Sequence, residues 1–179
     1  MRLSKINYYL DFVVYPIAIA VLAAVSLERG NRWLDAQWFG ACVAGAGAWT
    51  LLEYWLHRIA LHKIRYFVPM HALHHRKPLD FVGTPTWLSL SVLTGAIFLP
   101  AWRIVGFTIA SGLTAGVMIG YLWYGLIHHG IHHYRGRSMP PYLERSRVRH
   151  LRHHYSPRRG NFGVTTSLWD HAFGTAIEP

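Results

Sequence analysis

The residues best equipped for chemistry in this chain are its histidines. There are thirteen, grouped as His57-x4-His62, His71-x2-His74-His75, His128-His129-x2-His132-His133 and His150-x2-His153-His154, with His171 apart. A single histidine near a helix end is an ordinary polar cap. Four groups at helical spacing read as metal ligands instead, because neutral imidazole is a nitrogen donor to transition metals. On an α-helix each residue turns about 100°. In His-x-x-His-His the first and third histidines therefore share a face. The neighbouring pair diverges by about 100° and can serve two different ions. His128 and His132 are one turn apart and converge. His57 and His62 diverge by about 140°, which again suits two ions rather than one. So many donors exceed the needs of one four-coordinate zinc. Imidazole suits iron, copper, nickel and zinc alike, so ligand type leaves the metal open.

Other candidates carry two readings each. Glu53, one turn before His57, could orient the His57 ring as an acceptor or simply pair with Arg58. Asp80 and Asp170 are open in the same way. Tyr121 and Tyr124 precede His128 and could line a substrate tunnel or serve as packing and interfacial anchors. The single cysteine, Cys42, lies in an apolar stretch, so neither a disulfide framework nor a CxxC site is available.

The elements that hold these histidines are apolar. Hydrophobic residues make up 52% of the 179 residues and charged ones 15%, too little charge to cover a soluble domain of this size, so the excess faces lipid. Behind Arg2 and Lys5 a first stretch runs from about Phe12 to Leu27. Its Ala-rich end near Ala24 also fits a signal peptide, and it is read here as a retained span. A second runs from about Trp38 to Leu61, enough for the roughly 20 residues of a crossing. A third and fourth lie between Thr86 and Ile127, broken around Pro100 to Arg103. The piece from Trp87 to Leu99 is short and reads as one arm of a helical hairpin. Two outlying helices open at Pro69 and at Pro140-Pro141, the second stopped by Pro157, and the tail from Gly160 reads as loop with one short apolar element.

Charge sets the orientation. Fifteen of the eighteen Lys and Arg residues fall on the histidine side of these spans; only Arg29, Arg32 and Arg103 fall on the other. The positive-inside rule makes the histidine side cytoplasmic. The +10 balance flanks apolar spans, which suits anionic headgroups and argues against nucleic acid. The expectation is an all-α membrane protein of about four transmembrane helices with a cytoplasmic histidine-rich helical cap. It forms a single domain over residues 1–179, with its histidine-motif region at 53–175, and resides as a multi-pass protein in the cell (inner) membrane.

The four histidine groups, in this order and after apolar spans, resemble the fatty acid hydroxylase/sterol desaturase superfamily. The tail Asn161-Phe-Gly-Val-Thr-Thr-Ser-Leu-Trp-Asp-His-Ala-Phe-Gly-Thr175 is similar to that superfamily's closing segment, as is His150-Leu-Arg-His-His-Tyr155, so the likeness covers His57 to Thr175. The Phe-Gly-Val-Thr-Thr run is most similar to acyl-chain 2-hydroxylases. The resemblance implies metal ligands at His57, His62, His71, His74, His75, His128, His132, His150, His153 and His154, with His133 as a neighbour or additional ligand. His129 and His171 fit no position of the pattern. It further implies two iron ions, replaceable by zinc on purification, with O2 as co-substrate for hydroxylation of a lipid acyl chain. The protein residues do nothing catalytic beyond holding the metals. An alkyl C–H bond has no acidic proton and no leaving group, so side-chain acid–base chemistry cannot attack it and a cofactor must. The sequence has no G-x-G-x-x-G fingerprint. Electrons are expected from a separate donor protein, whether cytochrome b5-like, a ferredoxin or a reductase. A sterol or carotenoid hydroxylase or desaturase on the same centre is the alternative enzyme. A histidine-rich metal-binding membrane protein is the non-enzyme alternative.

Overall fold

The computed structural model describes residues 2–27, 31–134 and 138–177, so Arg29, Arg135 and Arg137 of the charge count lie outside the described residues. Helix α1 (Lys5–Tyr9) is capped by the Ser4 hydroxyl, which accepts from Asn7 N–H, and leads into α2 (Asp11–Leu27). Helix α3 (Arg32–Trp55) runs directly into a π-helical stretch, Leu56–Leu61. Then follow α4 (Val68–Arg76), α5 (Thr86–Leu93), a second π-helical stretch (Thr94–Phe98), α6 (Leu99–His133), α7 (Pro141–Tyr155) and α8 (Leu168–Ala172). The described residues are all-helical apart from loops and one isolated bridge between Arg2 and Val82. They divide into two compact units, one of residues 3–49 with 83–122, the other of residues 50–82 with 123–179 and Arg2.

The first unit holds the apolar arms. Its sharpest feature is Gly106, at φ 81° and ψ 169°, which interrupts α6 in a conformation that suits a residue without Cβ. The chain folds back there. Ser89 accepts a hydrogen bond from Tyr15 at 2.8 Å, and the same Tyr15 ring lies 4.9 Å from Tyr121. The break thus falls at Gly106 rather than at Pro100 to Arg103, and the first arm extends from Thr86 to Val105. That is close to the roughly 20 residues of a bilayer crossing. Pro100 is accommodated inside the helix. The π-helical stretch Thr94–Phe98 lies just before it, where a proline ring and its missing N–H disturb the ordinary ladder.

Close helix contact comes from absent side chains. A Cβ on Gly116 would run into the backbone carbonyl of Cys42, and one on Gly45 into that of Leu113. Small residues of this kind let α3 and α6 approach at backbone distance. Nearby, the buried hydroxyls of Ser26 and Ser111 bond to each other at 2.6 Å. Val13, Ile17, Val21 and Val25 form an outward stripe on α2, each about half exposed. Among the described residues two helical runs, Lys5–Leu27 and Thr86–His133, are long and apolar enough to cross a membrane.

The second unit packs around Ile127, Ile131 and Val164, with Tyr124, Leu143 and Leu151 against them. Helices α4 and α7 open at prolines as the sequence suggests, since a first-turn N–H has no intrahelical partner to lose. All thirteen histidines belong to this unit.

Candidate metal centre

Ten histidines gather into two sets of five. One comprises His57, His62, His71, His75 and His153; the other comprises His74, His128, His132, His150 and His154, with the donor atoms of each set within 4.8 Å of one another. Each His-x-x-His-His helix divides its histidines by face. Helix α4 gives His71 and His75 to the first set and His74 to the second. Helix α7 gives His150 and His154 to the second and His153 to the first. The remaining pairs, His57 with His62 and His128 with His132, complete one set each, so the two sets repeat the same plan.

His57 and His62 depart from the α-helical expectation of 140°. They belong to one set, with rings stacked at 5.3 Å and an interplanar angle of 23°. The cause is the π-helical stretch Leu56–Leu61 that separates them. Its i→i+5 bonds bring residues five apart to roughly one turn, so the two rings converge.

The nitrogen geometry fits a cation. His71 Nε2 lies 3.1 Å from His57 Nε2, 3.1 Å from His62 Nε2 and 2.9 Å from His75 Nε2. His153 Nε2 lies 3.2 Å from His62 Nε2 and 3.1 Å from His75 Nε2. A ring nitrogen carries one hydrogen or one lone pair, so three such contacts at one atom cannot all be hydrogen bonds. A shared ion resolves the conflict: imidazole–metal bonds of about 2.0–2.1 Å place neighbouring ligand nitrogens about 3 Å apart. The second set shows the same spacing, with His128 against His74, His132 against His150 and His154 against His150, each at 3.0 Å.

Burial keeps these rings neutral and hence able to donate. His62 is pushed down to about 4, by burial first and then by His75 and Arg159. His74 falls to about 3 through burial and then the neighbouring imidazoles, with His132 foremost. His153 falls to about 3 through burial, against the opposing pull of the Gly160 carbonyl. His71, His150 and His154 are lowered for the same leading reason.

Three histidines stay outside both sets. His129 stacks on His133 at 4.3 Å, and His133 on Phe81 at 5.9 Å. His171 is exposed. Tyr124 stacks on His128 at 5.4 Å, whereas Tyr121 packs against Tyr15 and Trp49 and donates to Asp11. Asp80 pairs with Arg2 at 3.4 Å.

The C-terminal loop supplies contacts that the sequence motif did not reveal. His57 Nδ1 donates to the Phe162 carbonyl at 2.6 Å and His153 Nδ1 to the Gly160 carbonyl at 2.8 Å. Glu53 neither orients His57 directly nor pairs with Arg58. It is 3% exposed and accepts from the backbone N–H of Val164 at 2.6 Å, that of Thr165 at 3.1 Å, and the Thr165 hydroxyl. Arg58 donates to Tyr54 instead. Asp170, fully buried, accepts from Phe162 N–H at 2.9 Å, Gly163 N–H at 2.8 Å and the Thr175 hydroxyl at 2.8 Å. Asn161, between the two carbonyls, sits in the left-handed region at φ 53°, which asparagine tolerates better than most residues.

The model of the fatty acid hydroxylase family matches residues 42–175 of the chain. The chain belongs to the fatty acid hydroxylase family. Its similarity to the dihydroceramide fatty acyl 2-hydroxylase of Arabidopsis thaliana is 31% identity over 176 residues, covering 89% of this chain and 69% of that protein. The ceramide very long chain fatty acid hydroxylase of Saccharomyces cerevisiae is 31% identical over 196 residues, covering 99% of this chain and 47% of its own. The fatty acid 2-hydroxylase of Mus musculus is 29% identical over 172 residues, covering 89% and 45%. The chain thus spans less than half of the yeast and mouse proteins. The solved structure of full-length Scs7p, of which only the hydroxylase domain is visible, matches with a TM-score of 0.79 at 25% identity, over 97% of this chain and 67% of that one. These named fatty acid hydroxylase relatives are oxidoreductases, and the family's acyl-chain hydroxylation is in keeping with the histidine sets found here.

Proposed function

We propose that this chain is a membrane-embedded, iron- and O2-dependent hydroxylase that installs a hydroxyl at carbon 2 of a lipid acyl chain. The observation that carries it is the pair of five-histidine sets whose Nε2 atoms crowd to about 3 Å around two points. His57, His62, His71, His75 and His153 would hold one iron, and His74, His128, His132, His150 and His154 the other. Bound iron supplies the O2 activation that an unactivated C–H bond requires. Holding the ions is the protein's share: neutral, buried imidazoles present lone pairs without adding charge. Hydrogen bonds from Nδ1 to Phe162 and Gly160 fix which nitrogen of His57 and His153 faces inward. Imidazole sites do not exclude zinc, so zinc is expected to replace iron during expression.

The one domain at residues 1–179 crosses the inner membrane about four times, through α2, α3 and the two arms that meet at Gly106, with the histidines on the cytoplasmic face. His57 and His62 follow the end of α3, and His128 and His132 close α6. A lipid held by its headgroup at that depth presents its first carbons to the metals, while its tail remains in hydrocarbon. This favours oxidation near the carboxyl end, in keeping with the 2-hydroxylases among the relatives. Electrons arrive from a separate donor protein. The test is expression with a compatible reductase in a host lacking 2-hydroxy lipids, followed by mass spectrometry of hydrolysed lipids. Appearance of 2-hydroxy acids is expected. Hydroxylation at another carbon, or a modified sterol or carotenoid beside unchanged acyl chains, would overturn the substrate assignment.

A further inference from the structure

The two histidine sets repeat one plan but differ in what stands behind the rings. In the first set His57 and His153 have their outer nitrogens on loop carbonyls. In the second set the Nδ1 atoms of His150 and His154 are buried and meet no partner among the described residues. Exposure does not account for a difference, because each set has three buried and two half-buried members.

The carbonyls behind the first set are themselves built in. Residues 160–165 pass over His57 and His153, and that path is fixed by two buried carboxylates, Glu53 on α3 and Asp170 on α8. Between them they accept from four consecutive backbone N–H groups, Phe162 through Thr165. Each carboxyl group holds two of these N–H donors and one threonine hydroxyl, so buried hydrogen bonds fix the path of the loop. Neither carboxylate is among the atoms gathered at the metal positions. Their reach to the metals is through the loop: carboxylate to N–H, carbonyl to Nδ1–H, Nε2 to ion.

We infer that Glu53 and Asp170 are positioning residues whose grip on the C-terminal loop makes the His57 set the tight metal site and leaves the His150 set as the exchangeable one. This rests on the two-metal reading above. A ring whose outer N–H is fixed keeps both its tautomer and its orientation when the ion leaves, whereas His150 and His154 must select theirs each time. Loss of such an outer partner typically costs about 10–100-fold in metal affinity.

The experiment uses the whole protein in detergent, loaded with zinc, and follows ion release to EDTA by elemental analysis. Release in two phases of one ion each is expected. His150→Ala should abolish the fast phase and His57→Ala the slow one. Glu53→Gln and Asp170→Asn should speed the slow phase by about tenfold or more while leaving the fast phase unchanged. Should either variant fail to elute as folded protein, Thr165→Val removes one bond to Glu53 and should speed the slow phase by a smaller factor, with Thr165→Ser restoring it. Release of both ions in a single phase overturns the inference. So does a fast phase, rather than the slow one, that responds to Glu53→Gln, Asp170→Asn or Thr165→Val. A wild-type protein that holds no ion overturns the two-metal reading itself.

Discussion

His71 Nε2 lies against three other ring nitrogens. His71→Ala is therefore expected to lower metal content by about one ion per chain, and His154→Ala to do the same in the other set. His133→Ala and His171→Ala should retain both ions, because neither ring reaches a set. Elemental analysis of the four purified variants checks this, and full metal content in His154→Ala would refute the ligand assignment. The division of each His-x-x-His-His helix between two sets was legible from the turn of an α-helix alone. The role of Glu53 was not. Its partners, the backbone N–H groups of Val164 and Thr165, are over a hundred residues away in sequence, and main-chain donors have no sequence signature. Asp170 was equally opaque, since a carboxylate that braces a loop and one that caps a helix look alike in a string of residues.

At the scale of elements, the π-helical stretch Leu56–Leu61 decides where His62 points. A π-helical turn is an α-helical turn with one residue more. Deleting Ala60 would leave His57 and His62 four apart on an α-helix, still converging, whereas inserting an alanine after Ala60 would swing them apart. The deletion is expected to keep the metal of the His57 set and the insertion to lose it, as measured by metal content of the two purified proteins. Equal loss in both would show that the turn matters for something other than ring direction. The sequence concealed this because hydrophobic and histidine spacing is read against an α-helical period by default. Helix packing follows a similar logic. Gly116→Val would drive a side chain into the Cys42 carbonyl and is expected to cost at least the roughly 1–3 kcal/mol of an overpacked core. Gly40→Ala, where an added Cβ meets nothing within 4 Å, should be nearly neutral. Thermal unfolding in detergent compares them.

At the scale of the whole molecule, apolar composition and the ordering of stretches already pointed to the all-helical architecture of the described residues, and a hairpin between Thr86 and Ile127 was expected. Only its turn was misplaced, because Pro100 is a conspicuous breaker whereas the φ of Gly106 is invisible in sequence. The proposed crossing makes a sharp demand on topology. In that proposal helix α2, helix α3 and the two arms meeting at Gly106 would give an even number of crossings, and both termini would belong on one side. Arg58, Lys63, Arg65, Arg76 and Lys77 follow α3, and the arginines of α7 follow α6, while Arg32 and Arg103 stand at the opposite ends of the arms. By the positive-inside rule, this excess of cations on the histidine side would make that side the cytoplasmic one in the proposed topology. Trp33 and Trp102, both exposed, lie beside those opposite ends, where indole rings favour the headgroup layer. With Cys42→Ser removing the native thiol, Gly30→Cys should react with a membrane-impermeant maleimide in spheroplasts. A cysteine appended to either terminus should react only after the membrane is opened. Labelling at both ends of α2 from the same side would mean that α2 does not cross, and the cytoplasmic placement of the histidines would then have to rest on α3 and α6 alone.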